Sequence, residues 1–174
     1  MKAFVVYESL FGNTARIGEA IAESLRTHGL EVENGPISDV SATETETDLL
    51  VVGAPTHAHG MSRVGTRKAA VEDKRNAFPA ADSMPGIRGW VAGLPSGSGR
   101  MAAAFDTRFD KPRWITGSAA KGIARALGQR GYRLVSPPES FFVTGEHGLE
   151  GGEVEHATAW GTDLADRATA GAPR

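Results

Sequence analysis

Residues 7–25, YESLFGNTARIGEAIAESL, decide the fold. The apolar run 3–7 (AFVVY) leads into them, β-branched and aromatic, as in a strand buried on both faces. Ile17, Ile21 and Leu25 then recur at helical spacing and make one stripe. His28-Gly29 closes the helix, with glycine supplying a left-handed stop. Between strand and helix stand Ser9, Leu10, Phe11, Gly12, Asn13 and Thr14. Backbone N–H groups at such a helix start point outward unpaired, and the helix dipole adds partial positive charge. Gly12 lets the backbone come close to a ligand, and Ser9, Asn13 and Thr14 add hydroxyl and amide donors. Asn13 or Thr14 is also the expected helix cap, and these residue types favour capping for its own sake. The turn contains no lysine, so it suits a permanently bound monophosphate better than a transferring one.

The remaining chain repeats the alternation. Residues 31–37 form a more polar strand, expected nearer an edge, and residues 48–53 (DLLVVG) form a second fully apolar strand. Residues 63–76 make a highly charged helix candidate. Pro85 can start a helix whose stripe is Ile87, Trp90, Val91 and Leu94, and Pro95 closes it. Residues 101–106 (MAAAFD) read as a third buried strand. Ser118 can cap a helix bearing Ile123, Ala126 and Leu127, stopped by Gly131. Residues 132–135 and 140–143 are strand pieces on either side of Pro137-Pro138, which interrupt the last strand because proline cannot donate to a ladder. Val154, Ala157, Trp160, Leu164 and Ala168 line a closing helix. Strands alternating with helices predict an α/β architecture: a doubly wound, three-layer fold on a five-stranded parallel sheet. Residues 1–170 are read as a single domain, with 171–174 as a frayed tail.

Bulk properties narrow the function. With 19 basic and 21 acidic residues the net charge is −2, too small to draw the protein to nucleic acid or to a membrane surface. There is no cysteine, which excludes disulfides, thiol catalysis and cysteine-ligated clusters. No apolar run approaches the ~20 residues of a membrane span, and the N-terminus lacks a signal-peptide layout. A cytoplasmic protein is expected.

In sheets of this kind ligands bind beyond the carboxyl ends of the strands. The loops after the three apolar strands are residues 8–14, 54–62 (APTHAHGMS) and 107–117 (TRFDKPRWITG). All three are polar and aromatic, whereas the strands that feed them are apolar.

The run from Ser9 to Thr14, after a first strand near the N-terminus, resembles the phosphate loop of the flavodoxins, which reads Thr/Ser-x-x-Gly-Asn-Thr or a close variant. Ala54-Pro55-Thr56, after the third strand, and the loop beyond Asp106 match the family's two flavin-flanking loops in position. The resemblance implies strand order 2-1-3-4-5, with FMN at the carboxyl edge. Ser9, Leu10, Phe11, Gly12, Asn13 and Thr14 would cradle its phosphate. Pro55, Thr56, His57, His59 and Gly60 would border one side of the ring, and Arg108, Phe109 and Trp114 the other. Backbone groups around Gly60 could reach the ring's N5.

The loops also depart from the family. Electron-transfer members usually carry tryptophan in the second loop and tyrosine in the third; here the second offers His57, His59 and Met61, and the third Phe109 and Trp114. Trp114 is the stacking candidate, a hydrophobic plug being its alternative reading. Electron carriers of the family tend to be acidic, and this chain is nearly neutral. Arg63, Arg67, Lys68, Arg108, Lys111 and Arg113 fall in or beside the loops and would suit an anionic partner if they share a rim. His57 and His59 lack companions at metal spacing, so no metal is expected. The expected function is FMN-dependent electron transfer with a redox partner protein or a small-molecule electron donor or acceptor. An NAD(P)H-dependent quinone or flavin reductase, and a flavin-free module of the same fold, are the alternatives.

Overall fold

The computed structural model describes residues 1–42, 47–56, 61, 86–144 and 148–171. Its elements run β1 (Lys2–Tyr7), α1 (Asn13–Thr27), β2 (Glu31–Pro36), β3 (Leu49–Pro55), α2 (Ile87–Gly93), β4 (Met101–Phe109), short α3 (Arg113–Thr116), α4 (Ala119–Gln129), β5 (Arg133–Leu134), β6 (Glu139–Val143) and α5 (Glu153–Ala170). The charged helix expected at 63–76 lies outside the described residues.

The strands join in the order β2-β1-β3-β4-β5, every ladder parallel. This is the expected 2-1-3-4-5 sheet, with β6 as an added segment on the far edge of β4. β4 pairs Met101 with Arg133 but Phe105 with Glu139, so the chain slips by two residues between the segments. Pro137-Pro138 falls in that slip, where the missing N–H groups break the ladder. The two segments together occupy the place of one interrupted fifth strand.

Alternation along the strands divides the core into two layers. Val5, Tyr7, Leu49, Val51, Ala103 and Phe105 face α1 and α5, whose Ile17, Ile21, Leu25, Trp160 and Leu164 cover them. Phe4, Val6, Leu50, Val52, Ala102 and Ala104 face α2 and α4, with Ile87, Trp90, Ile123 and Leu127 above them. Ile17, Ile21 and Leu25 are fully buried, each side chain contributing ~1.5–3 kcal/mol. Gly53 permits the β3–β4 contact: a Cβ there would lie 2.1 Å from the Phe105 ring. Phe105 also meets Phe141 and Trp160 edge to face.

Most strand boundaries agree with the sequence reading to within a residue; the two differences that bear on the site lie at the carboxyl edge. β4 continues past Asp106 to Phe109, because β6 pairs with it as far as Val143 and satisfies its backbone. β3 likewise runs on to Pro55. Thr107, Arg108 and Phe109 are therefore strand residues, not loop residues.

Candidate functional site

The turn after β1 is set by backbone geometry. Gly12, not Asn13 or Thr14, is the N-cap of α1, and its φ of 86° lies in the left-handed region that a side chain strains. It has no capping side chain. Ser9 covers part of the helix start instead, its hydroxyl accepting from the Ala15 amide at 3.2 Å. Thr14 is buried, and its hydroxyl lies 2.8 Å from that of Thr107 on β4. Leu10 is buried beneath the turn, while Phe11, Gly12 and Asn13 are half-exposed. Glu8, the carboxylate nearest the turn, is buried and accepts from the Ile87 amide at 2.8 Å. One of its oxygens therefore points to the start of α2, and the turn presents the Ser9 hydroxyl, the Asn13 side chain and a helix N-terminus.

The end of β4 is set by buried charge. Asp106 is fully buried, and Thr56 Oγ1, Ser118 Oγ and the Ala120 amide all donate to its Oδ2 at 3.0, 2.7 and 2.9 Å. Thr56 Oγ1 in turn accepts from the Ala119 amide at 2.8 Å. Ser118 caps α4 as expected, accepting from the Lys121 amide. Arg108 is buried too; its Nη1 donates to the carbonyls of Phe109 and Lys111 and to Thr116 Oγ1. Its guanidinium lies over the Phe142 ring, 4.9 Å from the centroid. Arg108 thus ties residues 109–116 back onto the end of β4, and its own charge does not reach an outer rim.

That loop carries an apolar patch. Trp114 is 83% exposed, Phe109 44% and Ile115 41%. Among the described residues, the only other large exposed apolar side chain is the terminal Met1. Lys111 is exposed, and Arg113 opens α3.

The structure brings Ser9, Leu10, Phe11, Gly12, Asn13 and Thr14 to the same sheet edge as Pro55, Thr56, Phe109 and Trp114. His57, His59, Gly60, Arg63, Arg67 and Lys68 lie outside the described residues. Met61 packs against Gly122 of α4 and borders a groove of about 760 Å³ between α2 and α4. Among the described residues of the three loops, only Met61 lines that groove. Sequence reasoning missed Asp106 and Thr107; the available signal was a polar pair continuing the alternation of an otherwise apolar strand.

A family model for flavodoxin matches residues 5–108. No curated protein matches the chain in sequence. Among solved structures, a flavodoxin from the domain Archaea superposes with a TM-score of 0.68 at 22% identity, over 97% of this chain and 99% of that one. The flavodoxin of Streptococcus pneumonia TIGR4 gives 0.69 at 19% identity, covering 96% and 99%. The Flv1 flavodiiron core from Synechocystis sp. PCC6803 gives 0.65 at 14% identity, covering 99% of this chain but 37% of the other. These likenesses are of fold, and with the family match over more than half the chain they establish that it belongs to the flavodoxin family, a family of flavin-binding electron-transfer proteins.

Proposed function

We propose that this chain binds FMN and works as an electron carrier, with the phosphate in the Ser9–Thr14 turn and the ring beside Phe109 and Trp114. The observation that carries this reading is one of place. The exposed aromatic patch of residues 109–115 shares a sheet edge with a glycine-centred helix start that presents neutral donors. One feature suits a flat apolar ring, the other a phosphate.

The donor set fits the group. Ser9 and Asn13 are half-exposed at the turn, and the nearby Glu8 carboxylate is buried and accepts from the Ile87 amide. Gly12 takes a backbone conformation that brings N–H groups outward, and a side chain there would face open space. When bound, the flavin supplies the redox chemistry. The chain's part is to hold the phosphate by hydrogen bonds, to fix the ring's orientation against Trp114 and to keep water from that face.

Visible absorption of the purified protein, recorded before and after adding FMN and again after gel filtration, tests the reading. Flavin bands that stay with the protein are the expected result. A colourless protein that also fails to take up FMN would overturn it. Rapid oxidation of NADPH by the FMN-loaded protein alone would replace the carrier reading with a quinone or flavin reductase on the same scaffold.

A further inference from the structure

Asp106 lies where the second and third loops meet. Its Oδ2 accepts from Thr56, at the start of the loop after β3, and from Ser118 and Ala120, at the start of α4. The Ala119 amide closes the circuit by donating to Thr56 Oγ1. One buried oxygen therefore ties Thr56 to the start of α4, three residues along β4 from Phe109. The other oxygen, Oδ1, is equally buried, and no hydrogen bond reaches it.

That asymmetry separates two roles of the side chain. An asparagine carbonyl could accept the same three hydrogen bonds, but its amide nitrogen would then bury two N–H donors where Oδ1 finds no partner. A carboxylate in a dry site is costly, and its field is felt strongly where little water screens it.

We propose that Asp106 is a positioning residue for the flavin ring, with two separable effects. Its hydrogen bonds hold Thr56 and the start of α4 at one spacing. Its negative charge opposes electron gain by the bound ring and so keeps the reduction potential low. This inference rests on the flavin reading above.

Two variants separate the effects. Asp106→Asn keeps the acceptor and removes the charge. Ser118→Ala keeps the charge and loosens the clasp on the α4 side. The readouts are the midpoint potential of bound FMN and the affinities of the apoprotein for FMN, riboflavin and inorganic phosphate. Asp106→Asn is expected to shift the potential upward. Ser118→Ala is expected to weaken FMN and riboflavin equally, by about fivefold, the factor carried by one ordinary hydrogen bond. Phosphate affinity stays unchanged, because the Ser9–Thr14 turn is untouched. If Asp106→Asn does not fold, Asp106→Ser, which also removes the charge, reads the potential in its place, and Ser118→Ala decides the clasp. An unshifted potential in Asp106→Asn, or unaltered affinities in Ser118→Ala, overturns the corresponding role while the wild-type protein still binds FMN. Failure of the wild-type protein to bind FMN or riboflavin overturns this inference together with the functional reading, and so is told apart from the first failure.

Discussion

The turn after β1 and the segment that ends β4 sit at the same edge of the sheet, joined by the Thr14–Thr107 hydroxyl pair, yet they are held differently. The first is shaped by its main chain: a left-handed glycine, a serine hydroxyl on an amide, and the start of a helix. The second is shaped by ionisable side chains inside the protein: Asp106 gathers three donors on one oxygen, and Arg108 spans three acceptors. A turn of short polar residues tolerates many ligand-free uses. Two buried charged groups within three residues do not come cheaply, and they concentrate where the proposed ring would rest. The backbone-built turn would supply affinity, and the charge-built loop would supply placement.

Gly12→Val attacks the first half and carries the largest expected effect. A β-branched residue at positive φ strains the backbone by ~1–3 kcal/mol, so FMN affinity should fall on the order of 100-fold if the turn must hold its shape to bind. Gly12→Asn should lose far less, since asparagine tolerates the left-handed region. Fluorescence titration of the apoprotein reads both, and wild-type affinity in Gly12→Val would remove the turn from the site. Trp114→Ala attacks the second half. Affinity should drop about tenfold, the worth of one good aromatic contact. The melting temperature should move by no more than about 2 °C, because surface changes stay within ~0.5 kcal/mol. A large loss of stability with unaltered FMN binding would make Trp114 a structural plug.

The two halves were also unequally legible in the sequence. Fully apolar strands and the Ile17, Ile21, Leu25 stripe disclosed the sheet, its helices and the turn between them. Pro137-Pro138 disclosed the break in the last strand, because the missing N–H is a local fact. The end of β4 was hidden. Thr107, Arg108 and Phe109 have the composition of a loop, and pairing with β6, over thirty residues away, together with β3 at Thr107, keeps them extended. The helix cap misled for a related reason. Side-chain preference points to Asn13 or Thr14, but Thr14 is engaged with a residue ninety-three positions away, and Gly12 takes the N-cap place. Patterns within one element could be read from its own residues. Partnerships between elements could not, and the candidate site is largely made of them.

Arg108→Leu sharpens the comparison further. It leaves the Phe109 and Lys111 carbonyls without their donor, a loss of about 1–3 kcal/mol by urea unfolding. FMN affinity should fall about threefold, less than for Trp114→Ala, because the loop loosens while its aromatic face remains. Equal affinity in wild type and variant would mean that the loop needs no such brace.

The smallest effect concerns the support beneath the first turn. Tyr7 ends β1, and its ring packs so closely on α1 that a Cβ at Gly18 would lie 2.5 Å from it. Burial, reinforced by repulsion from Glu19 and Asp39 and opposed by a hydrogen bond with Asn34, holds the phenol above its ordinary pKa of 10.0. The folded protein therefore keeps the phenolic proton at a pH where the unfolded chain loses it. Stability from this group is complete below pH 10 and declines as the pH rises through the folded value. Tyr7→Phe lacks that component, so the gap between wild type and variant in urea unfolding should be constant from pH 7 to 9 and shrink above pH 10. Only two tyrosines are present, so absorbance near 295 nm can follow the ionisation directly. A gap that stays constant up to pH 11 would show that Tyr7 is not held in its neutral form, and that the floor under the turn is more open than its packing shows.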